Sequence, residues 1–302
     1  MRKIDAHVHV FKYGEHWPEW AAKKWVEEES SITKGSPIHW VTGKQLRPED
    51  FNAPYDWAIE VMDKSGVEQA FLLGQYIKHL DIIVPTNYLV EALEKYPNRF
   101  YGFCAPDPLG GSKSVEELEW AITEKGFTGL KLLPSYHDLH PFDEILWPIY
   151  KKANALRIPI VIHTGSGPLP QNKLRWQDPY AFEDLLIEFS EINICFGHTG
   201  FHRVLDVLMM MRKYKNLYGD LAYWNMFPLD FIARWLVLAK KLEVLDRLMW
   251  GTDFPRLDPK IDSEYYKEIP TYTRRHDLQP EITEEDLSIL FSENALRFIK
   301  KK

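Results

Sequence analysis

The sequence predicts an α/β protein, a (β/α)8 TIM barrel with an insertion after strand one and a long loop after strand eight. Three observations carry that prediction. Short β-branched or apolar runs recur down the chain with longer amphipathic segments between them, the pattern of parallel strands joined by helices. Eight such runs can be counted, which suits a barrel better than an open sheet. Four of them close in residues that bind a divalent cation or move protons: Ile4-Asp5-Ala6-His7-Val8-His9, Pro159-Ile160-Val161-Ile162-His163, Ile192-Asn193-Ile194-Cys195-Phe196-Gly197-His198 and Leu248-Met249-Trp250-Gly251-Thr252-Asp253. In a barrel of parallel strands these carboxyl ends converge on one mouth, where such folds hold their active sites.

In chain order, the expected strands are Lys3 to Val10, Val67 to Gly74, Phe100 to Ala105, Gly129 to Leu133, Pro159 to His163, Asn193 to Gly197, Leu217 to Leu221 and Arg247 to Gly251. Helices fill the gaps. Ser114-Val115-Glu116-Glu117 and Thr283-Glu284-Glu285-Asp286 each set a hydroxyl before an acidic first turn, as a helix N-cap requires. The last helix, Thr283 to Lys300, spaces Leu287, Leu290, Phe291, Leu296 and Phe298 helically, ends in basic residues at its negative pole, and is expected to close the barrel.

Two stretches exceed a simple connection. Phe11 to Pro54 follows the first strand and carries Trp17, Trp20, Trp25 and Trp40; Pro255 to Pro280 follows the eighth and carries Tyr265, Tyr266 and Tyr272. Both leave from the carboxyl end of a strand, where insertions become lids and pocket walls. The alternative is that these aromatics only pack the insertions onto the barrel. The 302 residues are expected to form one domain, 1–302, since α/β barrels of roughly 250 residues commonly do.

Composition narrows the function. With 45% hydrophobic residues the chain can bury a large core, and a net charge of −7 gives no basic footprint for nucleic acid or anionic lipid. A small-molecule substrate is expected instead. The two cysteines, Cys104 and Cys195, lie inside expected strands and read as buried thiols of a reducing compartment. No signal-peptide core precedes the first strand and no apolar run is long enough for a membrane span, so a cytoplasmic protein is expected.

The chemistry rests on strand ends. His7 and His9 are one residue apart, so in a strand both point to one face and can share a cation. Gly165-Ser166-Gly167 lacks a following Gly-Lys-Ser/Thr and reads as a flexible turn rather than a phosphate loop. With Asp5-Ala6-His7-Val8-His9, Ile162-His163-Thr164-Gly165, Gly197-His198-Thr199-Gly200, Gly251-Thr252-Asp253-Phe254-Pro255 and Asn294-Ala295-Leu296-Arg297-Phe298 in view, the sequence resembles the amidohydrolase superfamily, specifically its amidohydrolase-2 group of metal-dependent barrel hydrolases and decarboxylases. The resemblance covers nearly the whole chain.

That resemblance implies that His7, His9, His163 and Asp253 hold one divalent ion, zinc first, with manganese, iron or cobalt accepted by the same donors. His198 would stand beside them to contact substrate, and Asp253 would orient a water and accept its proton. Some superfamily members carbamylate a lysine where this chain has Lys131, which would bridge two metals. The preferred expectation is an unmodified Lys131 binding a substrate carboxylate or oxyanion. His137 and His140, His202 and Arg203, Asp220 and Arg256 are further polar candidates near strand ends; His137 and Arg256 are carried forward as substrate-binding residues.

Two reactions suit this ligand set. The first expectation is hydrolysis of a small ester, lactone or amide through a metal-activated water, with His198 aiding the oxyanion. The alternative is nonoxidative decarboxylation of an aromatic or unsaturated carboxylic acid, which the aromatic insertion favours slightly. A barrel that binds without turnover is a third reading, opposed by the retention of His198 and Asp253. Relatives are often dimers, which leaves a homodimer open, and exposed aromatic insertions could serve an interface as readily as a pocket.

Overall fold

The structure is a computed structural model that describes residues 1–33 and 43–300, so Trp40 and the final two lysines lie outside the described residues. Among the described residues ten strands are formed: β1 (Ile4–Val8), β2 (Gln69–Leu73), β3 (Tyr76–Ile77), β4 (Ile82–Ile83), β5 (Phe100–Cys104), β6 (Gly129–Leu132), β7 (Ile160–His163), β8 (Ile194–Gly197), β9 (Leu217–Asp220) and β10 (Leu248–Met249). Eight of them make one sheet in the order β1-β2-β5-β6-β7-β8-β9-β10, with each neighbouring pair parallel. The sheet closes on itself where Ala6 N donates to Trp250 O at 2.9 Å and His9 N to Phe254 O at 2.8 Å. This is the (β/α)8 barrel the strand pattern predicts.

The departures are local. β10 is a two-residue strand rather than Arg247 to Gly251, because the chain after it turns to hydrogen-bond the Asp5 side chain instead of continuing the ladder. The β3–β4 hairpin is too short to leave a periodic trace in the sequence. The helix expected from Ser114 runs over Ser112–Thr123 from a Gly111 cap, and the Ser114 hydroxyl donates to Asp107 O. Thr283 does cap its helix, accepting from Asp286 N at 3.2 Å.

The C-terminal segment is helical in three steps, Glu284–Ser288, a wider π turn over Ile289–Glu293, and Asn294–Ile299. At the π turn the Leu290 carbonyl accepts from Trp250 N at 2.9 Å, which locks the segment to the closing strand. Phe298 then seals the amino-terminal end of the barrel, packing within 5.2–6.3 Å of Tyr218, Phe71 and Phe103 ring to ring. The open end is left as the opposite one, where the strands finish. Among the described residues no helix is long and apolar enough to cross a membrane.

One buried acid outside the mouth gives a stability test. Asp262, in the helix Pro259–Lys267, is fully buried; Oδ2 accepts from Trp250 Nε1 at 2.6 Å and Oδ1 has no hydrogen-bond partner among the described residues. Burial pushes its pKa well above the carboxylate range. The native state therefore keeps a proton that the unfolded chain releases above its own pKa, and stability falls as pH rises. Asp262→Asn removes this loss: its unfolding free energy relative to wild type should grow as pH rises above the ordinary carboxylate range, with a limiting slope of about 1.4 kcal/mol per pH unit. Urea titrations at three pH values check it, and a pH-independent difference refutes it.

Candidate active site

β1 delivers the first two imidazoles. Its register against β2 shifts between Asp5 and Val8, an irregularity of the kind that re-aims side chains beside active sites. His7 is held at Nδ1 by Asp220 Oδ2 at 2.9 Å, and His9 at Nδ1 by the Leu73 carbonyl at 2.8 Å. A carbonyl only accepts, so His9 carries its proton on Nδ1, and the carboxylate imposes the same tautomer on His7. Both Nε2 atoms are left as bare lone pairs, and they face each other at 3.2 Å.

The closing segment brings Asp253 to this point. Asp5 takes hydrogen bonds from Thr252 N (2.9 Å), Thr252 Oγ1 (2.5 Å) and His7 N (3.1 Å), tying β1 to the chain after β10. Asp253 follows with φ 60, a sparsely populated conformation for a residue other than glycine. Its Oδ1 lies 3.5 Å from His7 Nε2 and 3.6 Å from His9 Nε2. Burial pushes its carboxyl up to about 7, opposed by the charges of Arg256 and Lys131.

β7 and β8 add His163 and His198. His163 Nε2 is buried without a hydrogen-bond partner among the described residues. His198, also in a left-handed conformation with φ 64, is oriented by Ala222 O 3.1 Å from Nδ1 and by its own N–H, which donates to Asp220 Oδ1 at 2.8 Å. Gly165 makes room for that ring: a Cβ there would sit 2.4 Å from His198 Cδ2. The turn Gly165-Ser166-Gly167 is thus glycine-rich for close approach. Burial, reinforced by neighbouring cationic and imidazole groups, holds His7, His9 and His163 well below the usual histidine range and so neutral.

This donor set fits a divalent cation. Facing lone pairs at 3.2 Å repel unless a proton or cation lies between them, and burial disfavours the proton. Neutral imidazoles beside a carboxylate are the donors that zinc and manganese accept. The ligand atoms offered by His7, His198 and Asp253 lie within 4.8 Å of one another, and His9 and His163 flank them.

Lys131 is inward on β6, between Leu130 and Leu132 on the outer layer, and is 1% exposed with no hydrogen-bond partner for Nζ among the described residues. Burial lowers its pKa against the pull of Asp220 and Asp253. The mouth opens into a cleft of about 980 Å³, part of it solvent, with His9, His163, His198 and Asp253 on its floor. Trp17, Trp25 and Phe51 form one apolar wall, Trp17 stacking on Phe51 at 4.6 Å. The first insertion therefore walls the pocket, whereas Trp20 is exposed.

Arg256 lines the cleft, 4.9 Å from the Trp25 ring and 2.8 Å from Glu29 Oε1. His137 does not join the group: its Nε2 meets Tyr76 O at 2.9 Å and it is absent from the cleft wall. The tyrosines of the second stretch also stand elsewhere, Tyr265 bonding Phe227 O, Tyr272 bonding Asp230 and Tyr266 packing near Phe291. Sequence reasoning missed Tyr136, Glu29 and Phe51 as wall residues and left Asp220, which orients both His7 and His198, without a role. A polar residue ending the seventh strand was the available signal for Asp220.

A barrel mouth of this composition defines the chain as a metal-type (β/α)8 enzyme. It belongs to the amidohydrolase family, whose profile matches residues 4–301. A 2-amino-3-carboxymuconate-6-semialdehyde decarboxylase of Dictyostelium discoideum is 24% identical over 228 residues, 66% of this chain and 63% of that protein. A gamma-resorcylate decarboxylase of a Polaromonas species is 29% identical over 138 residues, 39% of this chain and 40% of that protein. The chain thus matches less than two thirds of either relative's length. A Polaromonas dihydroxybenzoic acid decarboxylase solved with manganese and the inhibitor 2-nitroresorcinol shares the fold, with a TM-score of 0.66 at 16% identity over 99% of this chain and 96% of that one.

Proposed function

We propose that this enzyme is a metal-dependent nonoxidative decarboxylase of an aromatic or unsaturated carboxylic acid. The observation that carries the reading is the place of Asp253, a carboxyl at the floor of an aromatic-walled cleft and against the bare nitrogens of His7 and His9. The decarboxylases among the sequence relatives favour this reaction over the hydrolysis that the ligand set alone put first. His7, His9, His163 and Asp253 would hold one divalent ion, zinc on its preference for such donors, with manganese the alternative found in the Polaromonas neighbour.

When bound, the ion supplies Lewis acidity to substrate oxygens. The chain supplies the rest. Trp17, Trp25 and Phe51 exclude water from one face of a flat substrate. Lys131 and His198 offer donors to its carboxylate or neighbouring oxygen. Asp253 delivers a proton to the ring or alkene carbon as the carbon–carboxylate bond breaks, so the acid leaves as the protonated hydrocarbon position plus carbon dioxide. The buried free thiols Cys104 and Cys195 support a reducing, cytoplasmic setting.

Turnover of a panel of hydroxybenzoates and unsaturated dicarboxylates in ¹⁸O-labelled water tests the reaction. Carbon dioxide release with a product free of label is expected. Labelled carboxylate product from esters or lactones, without carbon dioxide from any acid, would return the assignment to hydrolysis.

A further inference from the structure

The cleft holds a cation above its floor that the proposed reaction does not use. Among the described residues that line the cleft, Arg256 is the one lysine or arginine. Its N–H donates to Asp253 O at 2.7 Å, so its backbone is mounted on the turn that carries Asp253. The guanidinium charge acts on both Asp253 and His198 at the floor. A second anionic group on a substrate would be drawn to this charge if the charge were not already matched.

Glu29 matches it. The helix Glu19–Thr33 of the first insertion brings Trp25 and Glu29, one turn apart, to the same wall of the cleft. Glu29 Oε1 accepts from Arg256 Nη1 at 2.8 Å and from Trp25 Nε1 at 3.4 Å, while the guanidinium carbon stands 4.9 Å from the centre of the Trp25 ring. The side chains of Arg256 and Glu29 are 15% and 13% exposed, so solvent screens the pair little and breaking it would leave an uncompensated charge. Asp50, in the turn Pro48–Asp50, adds a second carboxylate to the cleft wall. Its ion-pair partner Arg47, 3.5 Å away, is largely in solvent and does not line the cleft. Above the floor a substrate thus meets two carboxylates and one guanidinium, and the guanidinium is committed to one of them.

We infer that Glu29 is a specificity-determining residue: it withholds Arg256 from the substrate, so the enzyme takes monocarboxylic acids and rejects acids that carry a second carboxylate into the outer cleft. The physical reason is that a second carboxylate has two unfavourable choices. It must displace Glu29 from an ion pair that is little exposed, or stand as a further anion beside Glu29 and Asp50. A neutral substituent of the same shape meets neither obstacle, so the discrimination comes from repulsion rather than from an added contact. The inference rests on the decarboxylase reading only in placing the reacting carboxylate at the floor.

Calorimetric titration of manganese-reconstituted enzyme with terephthalate and isophthalate, each against its own monoamide, compares shapes that differ by one charge. Wild type should bind each monoamide about 10-fold or more tighter than the diacid. In Glu29→Gln the guanidinium is released from its carboxylate, and the ratio of diacid to monoamide affinity should rise about 10-fold or more. The double variant Glu29→Gln/Arg256→Gln should lose that gain, which a merely structural role for Glu29 would not predict. A wild type that binds diacid and monoamide equally, or binds neither, overturns the inference, as does an unchanged ratio in Glu29→Gln or a gain that survives the loss of Arg256. Carbon dioxide release from hydroxybenzoates is followed alongside. Charge discrimination without release sinks the decarboxylase reading and leaves Glu29 standing; release with equal binding of diacid and monoamide sinks this inference alone.

Discussion

Replacing Asp253 with asparagine is expected to lower kcat by about 10³-fold while the protein remains folded. The carboxyl lies at the floor against the bare nitrogens of His7 and His9 and can lose and regain a proton beside a substrate carbon, which an amide cannot. The backbone will tolerate the change, since asparagine accepts the left-handed conformation that Asp253 adopts at φ 60. Stability should hold or rise, because a buried carboxyl pushed up to about 7 is replaced by an uncharged isostere. Metal per chain, measured on the same preparation, separates loss of the proton carrier from loss of a ligand. A variant with normal metal content and more than about a tenth of wild-type kcat would remove Asp253 from the proton-transfer step.

The parts of this site that were legible in the sequence are those written into the strand repeat. His7, His9, His163 and Asp253 each close an apolar run, and the barrel brings the ends of such runs together whatever the loops do. Lys131 follows the same logic, since alternation on β6 fixes it inward between Leu130 and Leu132. His137 shows the limit: five residues past the end of β6, its direction is set by the Tyr76 carbonyl on the β3–β4 hairpin, an element too short to leave a pattern.

The wall residues were hidden for a related reason. Glu29 and Arg256 are 227 positions apart and meet only because a helix of the first insertion lies over the mouth. Tyr136 and Gly167 come from two loops that meet at close approach, which periodicity does not record. The aromatic count in each insertion was visible, but which aromatics face the cleft was not: Trp17 and Trp25 do, and Tyr265, Tyr266 and Tyr272 pack elsewhere.

Asp220 carries the other large expectation. Its Oδ1 accepts from two backbone donors, His198 N at 2.8 Å and Ala222 N at 3.2 Å, while Oδ2 faces His7 Nδ1. In Asp220→Asn the side-chain oxygen must stay with the backbone donors, because an N–H can never accept. The amide nitrogen is then turned to His7, whose Nδ1 must become the acceptor. The imidazole proton moves to Nε2, the atom that points at His9 and Asp253 and would hold the cation. An isosteric change that leaves both backbone bonds intact should therefore weaken metal binding by about 10- to 100-fold with little loss of folding stability. Titration of the metal-free protein with manganese, followed by calorimetry beside urea unfolding of the same sample, reads both quantities. Undiminished affinity in a folded Asp220→Asn protein would mean that His7 does not bind the ion through Nε2, and the ligand set would have to be redrawn around His198 and His163.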